Sequence, residues 1–446
     1  MGYAAASARR SNLPFALLLG GAVLSYMSQS VGQLVGYILA LSGLAGLALS
    51  WPIVSRARVQ IVFVLCMGML LISLFSMLAA NQYATGMRFV IQSAMYPLVL
   101  AALLLYGWRV LESDRKKLAR LVAGVGTLNA VVALLASLGL VSSLPLVGEI
   151  STGRYIFGTQ IPSSTGMAIN VNYYSTLQGS IFLLYGWLLS DLGARRKWYH
   201  LGIGAFLLGT ILIGSSRGVA AAMMAAGTAW LAIHFLHLRF QTKLQYLPLA
   251  GSFMLVAAYL VVAHWGWVSE AFRFDRGLNF RDVIWSAGIQ LWLERPLMGY
   301  GYAGATSEML GDMIGRAGSL HSGYLSTLNR GGVLLFMFVY GGVIAIVLLG
   351  LGMSRERWWR NRWPVAIVVF WLANSAIRTF NLGGLGLLPV AAVLALSVIL
   401  YARYRERLQL SSSVDTGRSA AKAPPLRRVG PNYGQIRADR YPGKRG

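Results

Sequence analysis

Apolar runs long enough to cross a bilayer recur from one end of this chain to the other, and no other feature narrows its fold so far. Along the 446 residues, about twelve stretches of roughly 17–25 apolar residues can be drawn, each the length a helix needs to cross hydrocarbon. They centre on 13–30, 32–50, 59–79, 89–107, 121–141, 167–190, 199–214, 218–237, 246–266, 332–352, 364–380 and 384–402. Charged residues are 12% of the chain; a soluble domain has about twice that share, so the soluble class is excluded. The expectation is an all-α polytopic membrane protein of about twelve transmembrane helices. Residues 1–266 carry helices one to nine, 267–331 form one long loop, 332–402 carry the last three, and 403–446 form a basic tail. The tail is rich in Pro, Gly and Arg and reads as disordered. The single cysteine, Cys66, lies inside an apolar run and reads as a small core hydrophobe.

The net charge of +25 is to be read against topology, because cytoplasmic loops accumulate Lys and Arg. Basic clusters at 9–10, 56–58, 108–120, 191–197, 237–243 and 354–362, together with the tail, all fall on one side if the spans number twelve. That side is the cytoplasm and holds both termini. Lys116, Lys117, Lys197, Lys243, Lys422 and Lys444 all lie there, so the long loop faces outward. The basic tail would attract anionic lipid head groups, at about 1 kcal/mol per residue near the surface, and nucleic acid is not needed to explain it. The outer side has no lysine, yet it holds Arg88, Arg154, Arg217, Arg273, Arg276, Arg281, Arg295, Arg316, Arg330 and Arg378. Each arginine by itself can be read as snorkelling at the interface or pairing with Glu270, Asp275, Asp282, Glu294, Glu308 or Asp312. As a set they are better explained by an anionic ligand, since the guanidinium fork matches phosphate.

In the long loop, Asn279 is a candidate N-cap with Asp282 three residues on, as in a capping box. Asp282, Ser286, Gln290 and Glu294 form a polar stripe; Trp285, Ile289, Trp292 and Leu293 form the opposite face, and Pro296 stops the helix. Such an amphipathic helix lies along a membrane surface. GYGYAG at 299–304 follows no strand and reads as a flexible turn with interfacial tyrosines, not a nucleotide loop. His321 stands just before the tenth span, beside Ser322 and Tyr324. On position alone it reads as an interfacial histidine bonded to its loop. A neutral imidazole there can also accept a proton from a sugar hydroxyl. Arg217 occupies a very short outer turn. Arg378 follows Asn374 by four residues and shares its helical face, and a cation at that depth faces a bundle interior or a polar cavity. Asn170, Asn172, Tyr173 and Tyr174 at the start of the sixth span could line such a cavity. There is no His/Asp/Glu cluster with metal spacing and no nucleophile motif such as G-x-S-x-G.

Taken in order, Ser215-Ser216-Arg217-Gly218, Arg281-Asp282-Val283-Ile284-Trp285, Glu294-Arg295-Pro296-Leu297-Met298-Gly299-Tyr300-Gly301 and His321-Ser322-Gly323-Tyr324-Leu325 resemble the O-antigen ligase and O-antigen polymerase superfamily. The resemblance covers roughly 210–350. It departs from the family pattern at His321-Ser322, where His-Asn is common, and at Asn329-Arg330-Gly331, where an acidic residue often precedes the glycine. These are glycosyltransferases of the bacterial inner membrane. The resemblance implies a periplasmic active site and a donor glycan on undecaprenyl diphosphate. It also implies a saccharide acceptor and inverting transfer with no metal or other cofactor. Arg217 with Arg281 or Arg276 would hold the donor diphosphate, and His321 would act as general base or orient the acceptor. Arg378, Asn374, Tyr324 and Asn172 would line the cavity. A polymerase, joining repeat units of O-antigen or exopolysaccharide, is favoured over a ligase that moves the finished chain to lipid A-core. A partner that regulates chain length would fit the polymerase. The reading from another class is a polysaccharide or lipid-linked sugar transporter or flippase, which usually shows internal repeats and broken helices.

Overall fold

The computed structural model describes residues 12–26, 30–49, 56–79, 87–111, 113–141, 150–156, 159–164, 166–168, 170–190, 197–211, 216–237, 263, 280–301, 307–315, 319–351, 355–379, 382 and 384–422. Helices α1 (Asn12–Leu24), α2 (Ser30–Leu49), α3 (Arg56–Ala79), α4 (Met87–Tyr106) and α5 (Arg115–Ser137) come first. A two-stranded antiparallel hairpin follows, β1 (Ile150–Ile156) and β2 (Thr159–Ser164). The chain then forms α6 (Val171–Leu189), α7 (Lys197–Ile211), α8 (Arg217–His237), α9 (Arg281–Glu294) and α10 (Ser307–Ile314). The last part holds α11 (Gly323–Phe336), a π turn (Met337–Gly341), α12 (Gly342–Leu351), α13 (Arg355–Ile377) and α14 (Leu387–Lys422).

Among the described residues, six helical segments are long and apolar enough to cross a membrane, and four shorter apolar helices accompany them. This is the make-up of a polytopic helical membrane protein. Helices stand at all the expected apolar stretches except the ninth, 246–266, which lies outside the described residues but for residue 263. Packing follows residue size. A Cβ at Gly21 would fall 2.3 Å from the backbone of Ala40, and one at Gly43 would fall 2.5 Å from that of Leu18, so α1 and α2 pack backbone to backbone. The core unit extends from the N-terminus to Arg403. Within it, the part of α14 from Leu387 to Ile399 is buried almost throughout, and Ser397 accepts from Trp108 N–H and donates to Leu104 C=O. Cys66 is buried in this core, as its apolar surroundings in sequence imply.

Several local expectations are corrected. The segment 142–165 carries the β hairpin, where hydropathy alone indicates only a loop. Helix α14 continues through Lys422, into the stretch whose composition suggests disorder; 423–446 lie outside the described residues. The tenth span does not begin at 332. Helix starts at Gly323, so the last residues of the presumed loop are helical, and the Gly331-Gly332 pair is a break inside it. Asn279, the expected cap of α9, lies outside the described residues. This helix has Phe280 as its N-cap, in the left-handed region at φ 65 and with no side-chain cap bond. Its polar stripe is exposed as expected, and it ends at Glu294 before Pro296. Its buried face, however, is Ile284, Ala287, Gly288 and Leu291, while Ile289 and Leu293 remain exposed.

The break in α11 is a docking point. Tyr300 N–H donates to Asn329 C=O at 2.7 Å and Val333 N–H to Pro296 C=O at 2.8 Å, so the 296–300 turn takes up backbone groups that a continuous helix would use itself. Gly332 sits at φ 62, ψ −162, and a Cβ there would lie 2.1 Å from Leu297 carbonyl carbon. Only glycine occupies this region without large strain. Gly332→Ala should therefore cost about 3 kcal/mol or more and lower the melting temperature of the detergent-solubilised protein. Gly124→Ala, where a Cβ meets nothing within 4 Å, should leave it unchanged.

Candidate functional site

The end of α13 is the anchor of the site. Arg378 follows Ile377, the last residue of that helix. Helix α8 begins at Arg217 and presses its second residue against this end: a Cβ on Gly218 would lie 1.6 Å from Ile377 Cδ1. Helix α11 approaches from another side, where a Cβ on Gly323 would lie 3.1 Å from Arg378 carbonyl oxygen. Two glycines thus let two helix starts meet the residue pair Ile377-Arg378. Ser322 caps α11 by accepting from Leu325 N–H, and His321 precedes it in the left-handed region, at φ 46. Its N–H lies 3.3 Å from Ser319 Oγ, to which it donates.

Helix α9 is fixed against the same segment. Trp285 Nε1 donates to Leu320 C=O at 3.1 Å, and Asn329 Nδ2 bridges to Gly288 C=O and Leu325 C=O, both at 2.9 Å. Arg281 lies one turn before Trp285 on the same helical face. It is therefore directed toward the His321 segment. The turn after α9 is locked rather than flexible. Tyr300 is buried, its hydroxyl donates to Glu294 Oε2, and Arg295 lies over its ring at 5.2 Å. The ERPLMGYG stretch is thus a clamp that holds α9 on α11, and Tyr300 is not an interfacial tyrosine.

The electrostatics agree with the packing. Desolvation, then the charge of Arg217, lowers the Arg281 pKa. Desolvation, then Arg378 and Arg281, lowers that of His321, whose residue stays open to solvent at the rim of the cluster. The charge of Arg281 also acts on Arg378. Arg281 is thus coupled to Arg217, Arg378 and His321, and Arg378 to His321 as well. Neither Arg281 nor Arg378 has a carboxylate partner among the described residues. Arg378 is 8% exposed, and its Nε is buried with no hydrogen-bond partner. The starts of α8, α9 and α11 bring the positive ends of three helix dipoles to the cluster. Such an arrangement has the chemistry to hold an anion with several oxygens.

The remaining expected residues separate. Asn374 is fully buried one turn before Arg378; its Nδ2 donates to Phe370 C=O, and its Oδ1 has no partner. Tyr324 is committed to packing. Its hydroxyl donates to Leu372 C=O at 2.7 Å, and its ring meets Tyr340 edge-on. Asn172 sits in the first turn of α6, where its N–H donates to Asn170 Oδ1, and its neighbour Tyr173 is within electrostatic reach of Arg378. Tyr173 belongs to the polar group that opens the sixth span. Ser375, within hydrogen-bond reach of Tyr340, carries no signal in the sequence. Arg276 lies outside the described residues. The chain matches no family model and no curated protein.

A histidine whose pKa is lowered keeps its neutral, proton-accepting form to lower pH than an ordinary one. Any activity that uses His321 as base should therefore hold its rate below about pH 6.5, and its acid limb should lie beneath that value. Arg281→Gln removes a positive charge that depresses the imidazole. The limb of kcat/KM against pH should then move upward; a limb that stays in place would separate His321 from the reaction.

Proposed function

We propose that the chain is a glycosyltransferase that polymerises surface polysaccharide, O-antigen or exopolysaccharide, from repeat units carried on undecaprenyl diphosphate. The grouping of Arg281 with Arg217, Arg378 and His321 is the observation that carries this reading. In transfer, the acceptor hydroxyl attacks the anomeric carbon of the donor. A carbon–oxygen bond to the acceptor forms as the bond to the diphosphate breaks, with inversion. The hydroxyl proton passes to His321, and the leaving diphosphate takes the bonding pair. The guanidinium groups and helix N-termini face the charge that develops on it, where fixed donors contribute most. The base would supply about 10²–10⁴ in rate.

The same reading sets the topology. With twelve spans, the starts of α6, α8 and α11 and the end of α13 all lie at the periplasmic end of the bundle, and they are the ends that meet at the site. The absence of lysine from that side supports this orientation in the inner membrane, with both termini in the cytoplasm. The acceptor would be the sugar end of another lipid-linked unit, in a membrane where a chain-length partner can act.

His321→Ala and Arg217→Ala should each lower polymer formation by about 10²-fold or more while the protein still inserts at wild-type levels. Arg217→Lys should fail as well, because an ammonium lacks the two-pronged geometry that phosphate matches. Wild-type polymer in these variants would remove both residues from the site. The deciding assay is the purified protein with a lipid-diphosphate repeat unit, with and without lipid A-core. A ladder of lipid-linked products supports the polymerase, and product only with core identifies a ligase. No product under either condition turns the reading to transport.

A further inference from the structure

Tyr340 stands where a straight helix could not put it. Along an unbroken α-helix it would lie about 24 Å from Tyr324. The two rings nevertheless meet edge-on, with 4.5 Å between centroids. The Gly331-Gly332 break therefore folds the chain back on itself, and 323–330 and 333–341 are two arms of a V. Arg330, beside the break, also lies within electrostatic reach of Tyr340.

A second departure from α geometry places the Tyr340 hydroxyl. Met337–Gly341 is a π turn. Such a turn holds more residues than an α turn and swings its side chains off the α positions; π turns are rare and gather at functional sites. Tyr340 is buried, and its ring is stacked on Trp371 of α13 at 5.4 Å. Its hydroxyl lies where Gly323 has no side chain. A Cβ on Gly323 would meet the Tyr340 hydroxyl at 3.0 Å, Arg378 carbonyl oxygen at 3.1 Å and Ser375 Cβ at 3.2 Å. The start of α11, the π turn and the end of α13 thus close on one point, two residues after His321.

The hydroxyl supplies a proton that its neighbours lack. Thr327 Oγ1 donates to Gly323 C=O at 2.8 Å, and Ser375 Oγ donates to Trp371 C=O at 2.9 Å. Each commits its one proton to its own helix and keeps lone pairs. Both lie in hydrogen-bond reach of Tyr340. This one donor serves the first turn of α11 and the last turns of α13.

We propose that the Tyr340 hydroxyl is a positioning group. It holds the arm 323–330 against α13 and so fixes where His321, which precedes that arm, stands relative to Arg378. Its effect on turnover rests on the transfer reading. Its hold on the arm does not.

The test uses the full-length protein in detergent. Tyr340→Phe keeps the stacked ring and removes only the hydroxyl, and Ser375→Ala removes the acceptor on α13. Met337→Ala, in the same π turn but 59% exposed, is the control. Two readouts need no turnover: amide hydrogen exchange across 323–330, and the rate at which diethyl pyrocarbonate labels His321, followed by peptide mass spectrometry. Both should rise severalfold in Tyr340→Phe and in Ser375→Ala, and stay at the wild-type value in Met337→Ala. In the transfer assay kcat should fall about tenfold in Tyr340→Phe, with KM for the lipid-linked donor within about twofold of wild type. The double variant should lose no more than the worse single one, because both remove the same bond. Wild-type exchange and labelling in Tyr340→Phe would overturn the proposal, since ring packing would then hold the arm by itself. Losses that multiply in the double variant, or raised exchange with unchanged kcat, would overturn it too. A wild type that transfers no sugar would refute the transfer reading instead, and exchange and labelling would still decide the hold on the arm.

Discussion

The distance at which two helix starts can approach the end of a third decides whether this site exists. Gly218 and Gly323 both touch the Ile377-Arg378 pair: a Cβ at Gly218 would displace the tip of the Ile377 side chain, and one at Gly323 would crowd Arg378 carbonyl oxygen at 3.1 Å. A shift of about an ångström is enough to spoil the alignment of groups that must act together on one substrate. The glycines therefore do positional work although they carry no chemistry. The arginines and the histidine depend on them.

That approach concentrates like charge. Helix N-termini and guanidinium groups are all positive, and desolvation strengthens the repulsion among them. An isolated protein gains nothing from this arrangement. The scaffold resists the repulsion through bonds placed away from the charges. Trp285 and Asn329 tie α9 to α11, and the Tyr300–Glu294 contact locks the turn that follows α9. Rigid support set behind a strained cluster is how a membrane protein holds a polar site open at the edge of hydrocarbon.

Much of this was legible before any fold was known. Apolar run length marks membrane helices because hydrocarbon thickness sets it, and among the described residues helices do stand where the runs are. Arg217 stood out because a very short turn rarely holds a cation without use, and Arg378 because of its depth. Other features could not be read. The start of α11 was hidden because Gly-Gly looks like the beginning of a span when it is a break inside a helix. The face that α9 buries was misjudged because tryptophans weigh heavily in hydropathy. In the fold small residues, Ala287 and Gly288, lie on the buried face, and Trp285 is used for its N–H. Tyr324 looked like a cavity residue from its place beside His321, yet its hydroxyl bonds across to α13.

Sequence by itself determined the solvent of this protein. Composition and run length depend only on which residues are present, and the bilayer responds to those directly. It also determined which polar residues were out of place. Tertiary structure alone decided which of them lie near one another. Arg217, Arg281, His321 and Arg378 span more than a hundred and fifty positions, and no local pattern links them. Their meeting follows from glycine-sized gaps at helix ends and from hydrogen bonds such as Asn329 to Gly288. Those are properties of backbones packed in space, and a linear chain does not display them.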